Sequence, residues 1–166
     1  MTLSELNAHD RRGFVDAIGW VFEHSPWVAE RAWTQRPFET LAALHEAMTS
    51  QVASATLPEQ LALLRAHPDL GARANMSDAS VAEQTGAGLD SLTGHELDRL
   101  RELNASYRDK FGFPFLYAVK GSTKQDILNA LEKRLLATRD AELGEALRQV
   151  CRIARFRLDE MLRSCL

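Results

Sequence analysis

The chain has 166 residues, 45% hydrophobic and 26% charged, which suits one soluble globular domain with a sizeable core. A formal net charge of −3, with no block of basic residues, argues against nucleic acid as a partner. No apolar run reaches the roughly 18 residues a membrane span needs.

Helix signals dominate in chain order. Arg11 to Phe22 carries Phe14, Val15, Ile18, Val21 and Phe22 on one face at helical spacing. Ser25-Pro26 has the form of a cap followed by proline in the first turn, opening a segment to about Gln35. Phe38 to about Ala53 carries Leu41, Leu44, Met48 and Val52, and Thr56 to Arg65 carries Leu57, Leu61 and Leu64. Thr93 and Glu96 form a capping box ahead of Leu97, Leu100, Leu103 and Tyr107, with Gly112 as the stop. Ser122 and Gln125 repeat the box ahead of Ile127, Leu128, Leu131 and Leu135. Asp140 is the expected cap of a last helix that turns Leu143, Leu147, Val150, Ile153, Ala154, Leu158 and Leu162 inward.

The exception is residues 111–121, where Phe113-Pro114-Phe115-Leu116-Tyr117-Ala118-Val119 is aromatic and β-leaning but too short to make a sheet with itself. It reads as an irregular connector buried among helices. The expected fold class is therefore all-α: a compact single-domain bundle of about seven to nine helices over residues 1–166.

Cys151 and Cys165 lie about 21 Å apart on one helix at ~1.5 Å per residue, too far for a disulfide, so two free thiols are expected. Met1-Thr2-Leu3-Ser4-Glu5 lacks the basic and apolar regions of a signal peptide, which points to the cytoplasm. Ser164-Cys165-Leu166 resembles a peroxisomal Ser-Lys-Leu address without its basic middle residue, and the cytoplasm stays the expected compartment.

His67 is the sharpest chemical candidate. Imidazole exchanges protons near pH 7, and Pro68 forces His67 out of the α region at a helix end, a usual place for a pocket wall. The competing reading is a histidine that caps the carbonyls of its own helix. Glu83 and Gln84 come next: a carboxylate beside a carboxamide is a useful set for a polar heterocycle. Against this, Ser80 and Glu83 also match a capping box, which would need no catalytic duty. His9, His24, His45 and His95 make no His-x-x-x-His pair and sit near no cysteine, so no metal site is expected. Arg155 and Arg157 are candidates to clamp a carboxylate or ureido carbonyl, although most such arginines are solvated.

Taken together, Ala66-His67-Pro68-Asp69-Leu70, Ser80-x-x-Glu83-Gln84-x-x-Ala87-Gly88-Leu89, Asn104-x-x-Tyr107-x-x-Lys110-Phe111-Gly112-Phe113-Pro114-Phe115 and Arg157-Leu158 resemble the decarboxylases of 2-oxo-4-hydroxy-4-carboxy-5-ureidoimidazoline (OHCU), which make (S)-allantoin in urate degradation. The similarity runs from about Phe14 to Leu162. It implies an all-α carboxy-lyase that needs no metal or organic cofactor, acts on a small ureide, and in many members forms a homodimer. It places the catalytic pair at His67 and Glu83. It also implies substrate contacts from Pro68, from Ser80, Val81, Ala82, Glu83 and Gln84, from the main chain of Phe115, Leu116, Tyr117, Ala118 and Val119, and from Arg157, with Arg155 the runner-up. A hydrolase or lyase of another ureide, and a helical interaction module without chemistry, are the alternative readings.

Overall fold

The computed structural model describes residues 1–71 and 78–163, without the side chain of Arg163. Among these residues there are nine α-helices, two 3-10 turns and no strand, so the fold is all-α. The helices are α1 (Leu3–Ala8), α2 (Arg11–Ile18), α3 (Trp27–Ala32), α4 (Leu41–Ser54), α5 (Leu57–Arg65), α6 (Asp78–Gly86), α7 (Gly94–Phe111), α8 (Lys124–Arg134) and α9 (Arg139–Arg163). No described helix is long and apolar enough to cross a membrane. The chain divides into two compact units, one of residues 1–66 together with residue 151 onward, the other His67–Val150. Cys165 and the Ser164-Cys165-Leu166 end lie outside the described residues.

Local capping chemistry sets most helix starts. Thr2, Thr56 and Thr93 each accept from the backbone three residues on, and Glu5, Glu59 and Glu96 reach back to complete the boxes. Several expected boundaries move. Residues 11–22 are not one helix: α2 ends at Ile18 and a 3-10 turn, Gly19–Val21, follows. Ser25 does not cap α3; its hydroxyl donates to the Glu23 carbonyl and Pro26 occupies the cap position. Thr40 caps α4, which starts at Leu41 rather than Phe38. The box ahead of α8 is Thr123 with Asp126, one residue beyond the expected Ser122. Thr138, not Asp140, accepts at the start of α9, from the Ala141 amide. Leu57 is 53% exposed, and Leu143, Leu147 and Leu162 are only half-buried.

In the first unit, Leu6, Phe14, Ile18, Phe22, Val28, Leu44 and Met48 are fully buried. Asn7 clamps Phe38 from both sides, donating to its carbonyl at 2.9 Å and accepting from its amide at 2.8 Å. His45 on α4 meets the Cys151 carbonyl on α9 at 2.7 Å.

In the second unit, α7 carries two parallel rows. Leu103, Tyr107 and Phe111, four residues apart, bury into an aromatic cluster in which the Tyr107 ring lies 4.6 Å from Phe111, 6.0 Å from Phe113 and 5.4 Å from Phe115. Leu100, Asn104 and Arg108 form the other row. Gly112, at φ 80°, ends the helix in the left-handed region that glycine tolerates. Residues 114–119 then run without regular structure and are buried except for half-buried Tyr117, as expected for the aromatic connector; Phe111 itself closes α7.

Candidate active site

His67 directly follows Ala66, the C-terminal cap of α5, and is 5% exposed. The strip that carries it is fixed by three different side chains. Arg108 pairs with the Asp69 carboxylate at 2.9 Å. Asn104 donates to the Leu70 carbonyl at 3.0 Å. The Gly71 amide donates to the Gln84 carboxamide oxygen at 2.8 Å. Two of these holds come from the second row of α7, and Leu100 of the same row sits against Gly71: an added Cβ there would lie 2.8 Å from Leu100 Cδ2. Gly71 has φ +81°, so both its conformation and its closeness to α7 call for glycine. The row therefore anchors a short non-helical strip whose backbone no ladder secures.

Ser80 lies inside α6, as its third residue, and so cannot be the helix cap. That removes the capping-box reading of Ser80 and Glu83. Ser80 and Gln84, four apart, are buried on one face; Glu83 is half-buried, while Val81, 47% exposed, and Ala82 face outward. Gln84 spends its oxygen on Gly71, so its NH2 is what it offers foremost to a ligand.

The connector is held from α8 and α9. Arg134 donates to the Leu116 carbonyl and pairs with Glu142, which also accepts from the Tyr107 hydroxyl at 2.6 Å. Burial, then this bond to Glu142, pushes the Tyr107 phenol well above its ordinary range, so it remains a donor. The Ala118 amide donates to Gln149 at 2.9 Å, and the Tyr117 hydroxyl meets Ser122 at 3.0 Å.

Arg157 belongs to the first unit. It is 4% exposed, pairs with the fully buried Glu23 at 2.9 Å, and lies 3.4 Å from the Trp20 and Val21 carbonyls. Arg155 pairs with Asp159 at 3.2 Å on a half-exposed face. Of the two arginines, Arg157 is the buried one. Among the described residues no cluster of three His, Cys, Asp or Glu side chains is placed to hold a metal ion. A cavity of about 650 Å³ opens beside Leu89, Leu97 and Arg101, with Asn104 and Arg108 in its wall; none of the expected site residues lines it.

Sequence reasoning missed the holding roles of Asn104, Arg108, Arg134, Glu142 and Gln149. One signal was present: polar residues falling on otherwise apolar rows at intervals of four, as Asn104 does after Leu100 and Glu142 before Ala146 and Val150.

The family model for OHCU decarboxylase matches residues 7–159. The chain is 47% identical over 161 residues to the 2-oxo-4-hydroxy-4-carboxy-5-ureidoimidazoline decarboxylase of Halalkalicoccus jeotgali, covering 97% of this chain and 92% of that one. It is also 47% identical to part of the uric acid degradation bifunctional protein PucL of Bacillus subtilis, spanning 97% of this chain but 33% of the longer protein. Its fold matches a crystal structure of (S)-allantoin synthase at a TM-score of 0.81 and 34% identity, over 98% of this chain and 54% of that one. An all-α protein with a buried histidine on an anchored strip thus matches a decarboxylase over nearly the whole of both chains. The chain belongs to the OHCU decarboxylase family.

Proposed function

We propose that this protein decarboxylates 2-oxo-4-hydroxy-4-carboxy-5-ureidoimidazoline to (S)-allantoin, with His67 as the acid–base group. The observation that carries the reading is the family match over nearly the whole chain, joined to a buried His67 whose strip is tied down at Asp69, Leu70 and Gly71. In this substrate the carbon that bears the carboxylate also bears a hydroxyl and adjoins a C=N. As the carbon–carboxylate bond breaks, CO2 leaves and the electron pair passes toward the C=N. The ring nitrogen of the former C=N takes one proton, the hydroxyl proton departs as a carbonyl forms, and a second proton arrives on one face of the ureido-bearing carbon. Net, one proton is taken up for each carboxylate lost.

His67 takes the hydroxyl proton or steers its delivery, a role suited to an imidazole near pH 7. Glu83 orients His67 or binds ureido N–H groups. Gln84 offers its NH2 to a ring or ureido carbonyl. Pro68 and the Ser80–Gln84 stretch, including Val81 and Ala82, line the ligand, and the Phe115–Val119 main chain meets its amide edges. Fixed donors of this kind stabilise developing charge without reorganisation.

The test is chiral analysis of the product. Wild-type protein should give excess (S)-allantoin from freshly generated substrate. His67→Asn should lower kcat by about 10²–10⁴-fold, the usual worth of an acid–base group, while still binding (S)-allantoin. Undiminished turnover by His67→Asn, after subtraction of spontaneous decay, refutes the assignment. Turnover of other ureides in place of this substrate would refute the reaction.

A further inference from the structure

We propose that Gln149 and Arg134 are positioning residues that turn the Tyr117 main-chain N–H and C=O together toward the ligand; this rests on the reading that the connector binds the ureide. The connector has no ladder or helix to orient its peptide groups, since residues 114–119 lack regular structure. Two consecutive peptide groups are nevertheless fixed. In the first, between Leu116 and Tyr117, the carbonyl accepts from Arg134. In the second, between Tyr117 and Ala118, the amide donates to Gln149 at 2.9 Å.

A trans peptide is planar, with its N–H and C=O pointing in opposite directions. Tying the Leu116 carbonyl to Arg134 therefore aims the Tyr117 N–H away from Arg134. Tying the Ala118 N–H to Gln149 aims the Tyr117 C=O away from Gln149. One residue thus presents a donor and an acceptor, and neither is used by another described residue. That pair matches the N–H and C=O of a urea or cyclic amide edge.

Both anchors are themselves locked. Arg134 pairs with Glu142, which Tyr107 also engages at 2.6 Å, and its guanidinium lies 4.5 Å from the Phe115 ring centre. The Gln149 NH2 donates to Glu145 at 2.9 Å, which fixes the carboxamide so that its oxygen, not its nitrogen, faces Ala118. Five side chains from three helices thus secure two peptide groups, Arg134 and Gln149 directly and Glu142, Tyr107 and Glu145 through them.

Amide hydrogen exchange on the wild-type protein, with and without (S)-allantoin, tests the orientation directly. The Ala118 amide should be protected without ligand, and the Tyr117 amide should gain protection only when allantoin is added. Gln149→Leu should then expose the Ala118 amide and raise both KM and the allantoin Kd about tenfold, with kcat changed less than about threefold, the signature of lost uniform binding. Allantoin binding without protection of Tyr117, or a Gln149→Leu protein with unchanged Kd, overturns the proposal and leaves the reaction standing. Absence of allantoin binding by the wild type overturns both.

Discussion

Gly71→Ala is a stringent probe of the strip that carries His67, and its cost can be worked from two features of the site. Gly71 has φ +81°, where an L side chain costs about 1–2 kcal/mol. The added Cβ would lie 2.8 Å from Leu100 Cδ2, closer than carbon atoms normally approach, on a leucine that is 1% exposed. Overpacking of a dense core costs about 1–3 kcal/mol, and a single contact with the end of a side chain belongs at the lower end. The expected loss is therefore about 2–3 kcal/mol, or roughly 4–12 °C in Tm at about 2–4 °C per kcal/mol for a chain of this size.

Gly121 provides the control. It has the same φ, +81°, but nothing lies within 4 Å of its added Cβ. Gly121→Ala should cost only the conformational part, about 1–2 kcal/mol. Urea denaturation followed by circular dichroism gives both values. In a Leu100→Ala background the cost of Gly71→Ala should fall to that of Gly121→Ala, a coupling of about 1 kcal/mol in a double-mutant cycle. Gly71→Ala should also slow turnover where Gly121→Ala does not, because it displaces the strip next to His67. Equal stability losses for the two glycines, with no coupling to Leu100, would show that the close packing against α7 does not constrain this strip.

Two further outcomes follow from buried groups. Glu23→Gln leaves the Arg157 guanidinium, 4% exposed, without its carboxylate, and should cost about 3–5 kcal/mol, as breaking one side of a buried ion pair does. A loss below about 1 kcal/mol in denaturant titration would mean the pair is not desolvated in solution. Burial pushes the Cys151 thiol up to about 11. The folded state thus favours the neutral thiol, a preference fully present below the ordinary value of 9.0 and lost as pH rises through about 11. In a Cys165→Ser background, alkylation at pH 8 should be far slower than that of free cysteine and should climb toward pH 11; labelling at the free-thiol rate at pH 8 would contradict this burial.

The helices were legible because their causes are local. The capping box at Thr93 and Glu96 and the left-handed stop at Gly112 lie within a few residues of the ends they set. The aromatic connector was also legible, since a β-leaning run with no partner strand has nowhere to form a ladder. Boundaries failed where a neighbour competed for the same group. Ser25 gives its hydroxyl to Glu23 rather than to α3, and Thr123 displaces Ser122 as the cap of α8.

The site divides along the same line. Sequence alone determined that His67 ends at a proline and that Glu83 and Gln84 follow on a helix, because both are statements about neighbours in the chain. Only the tertiary structure decided that Ser80 is interior to α6, that Arg157 rather than Arg155 is buried, and that Asn104, Arg108 and Gln84 fasten three successive residues after Pro68. Those bonds join residues 13 to 39 positions apart, and no periodicity in a single chain records which polar group another will meet once the backbone closes.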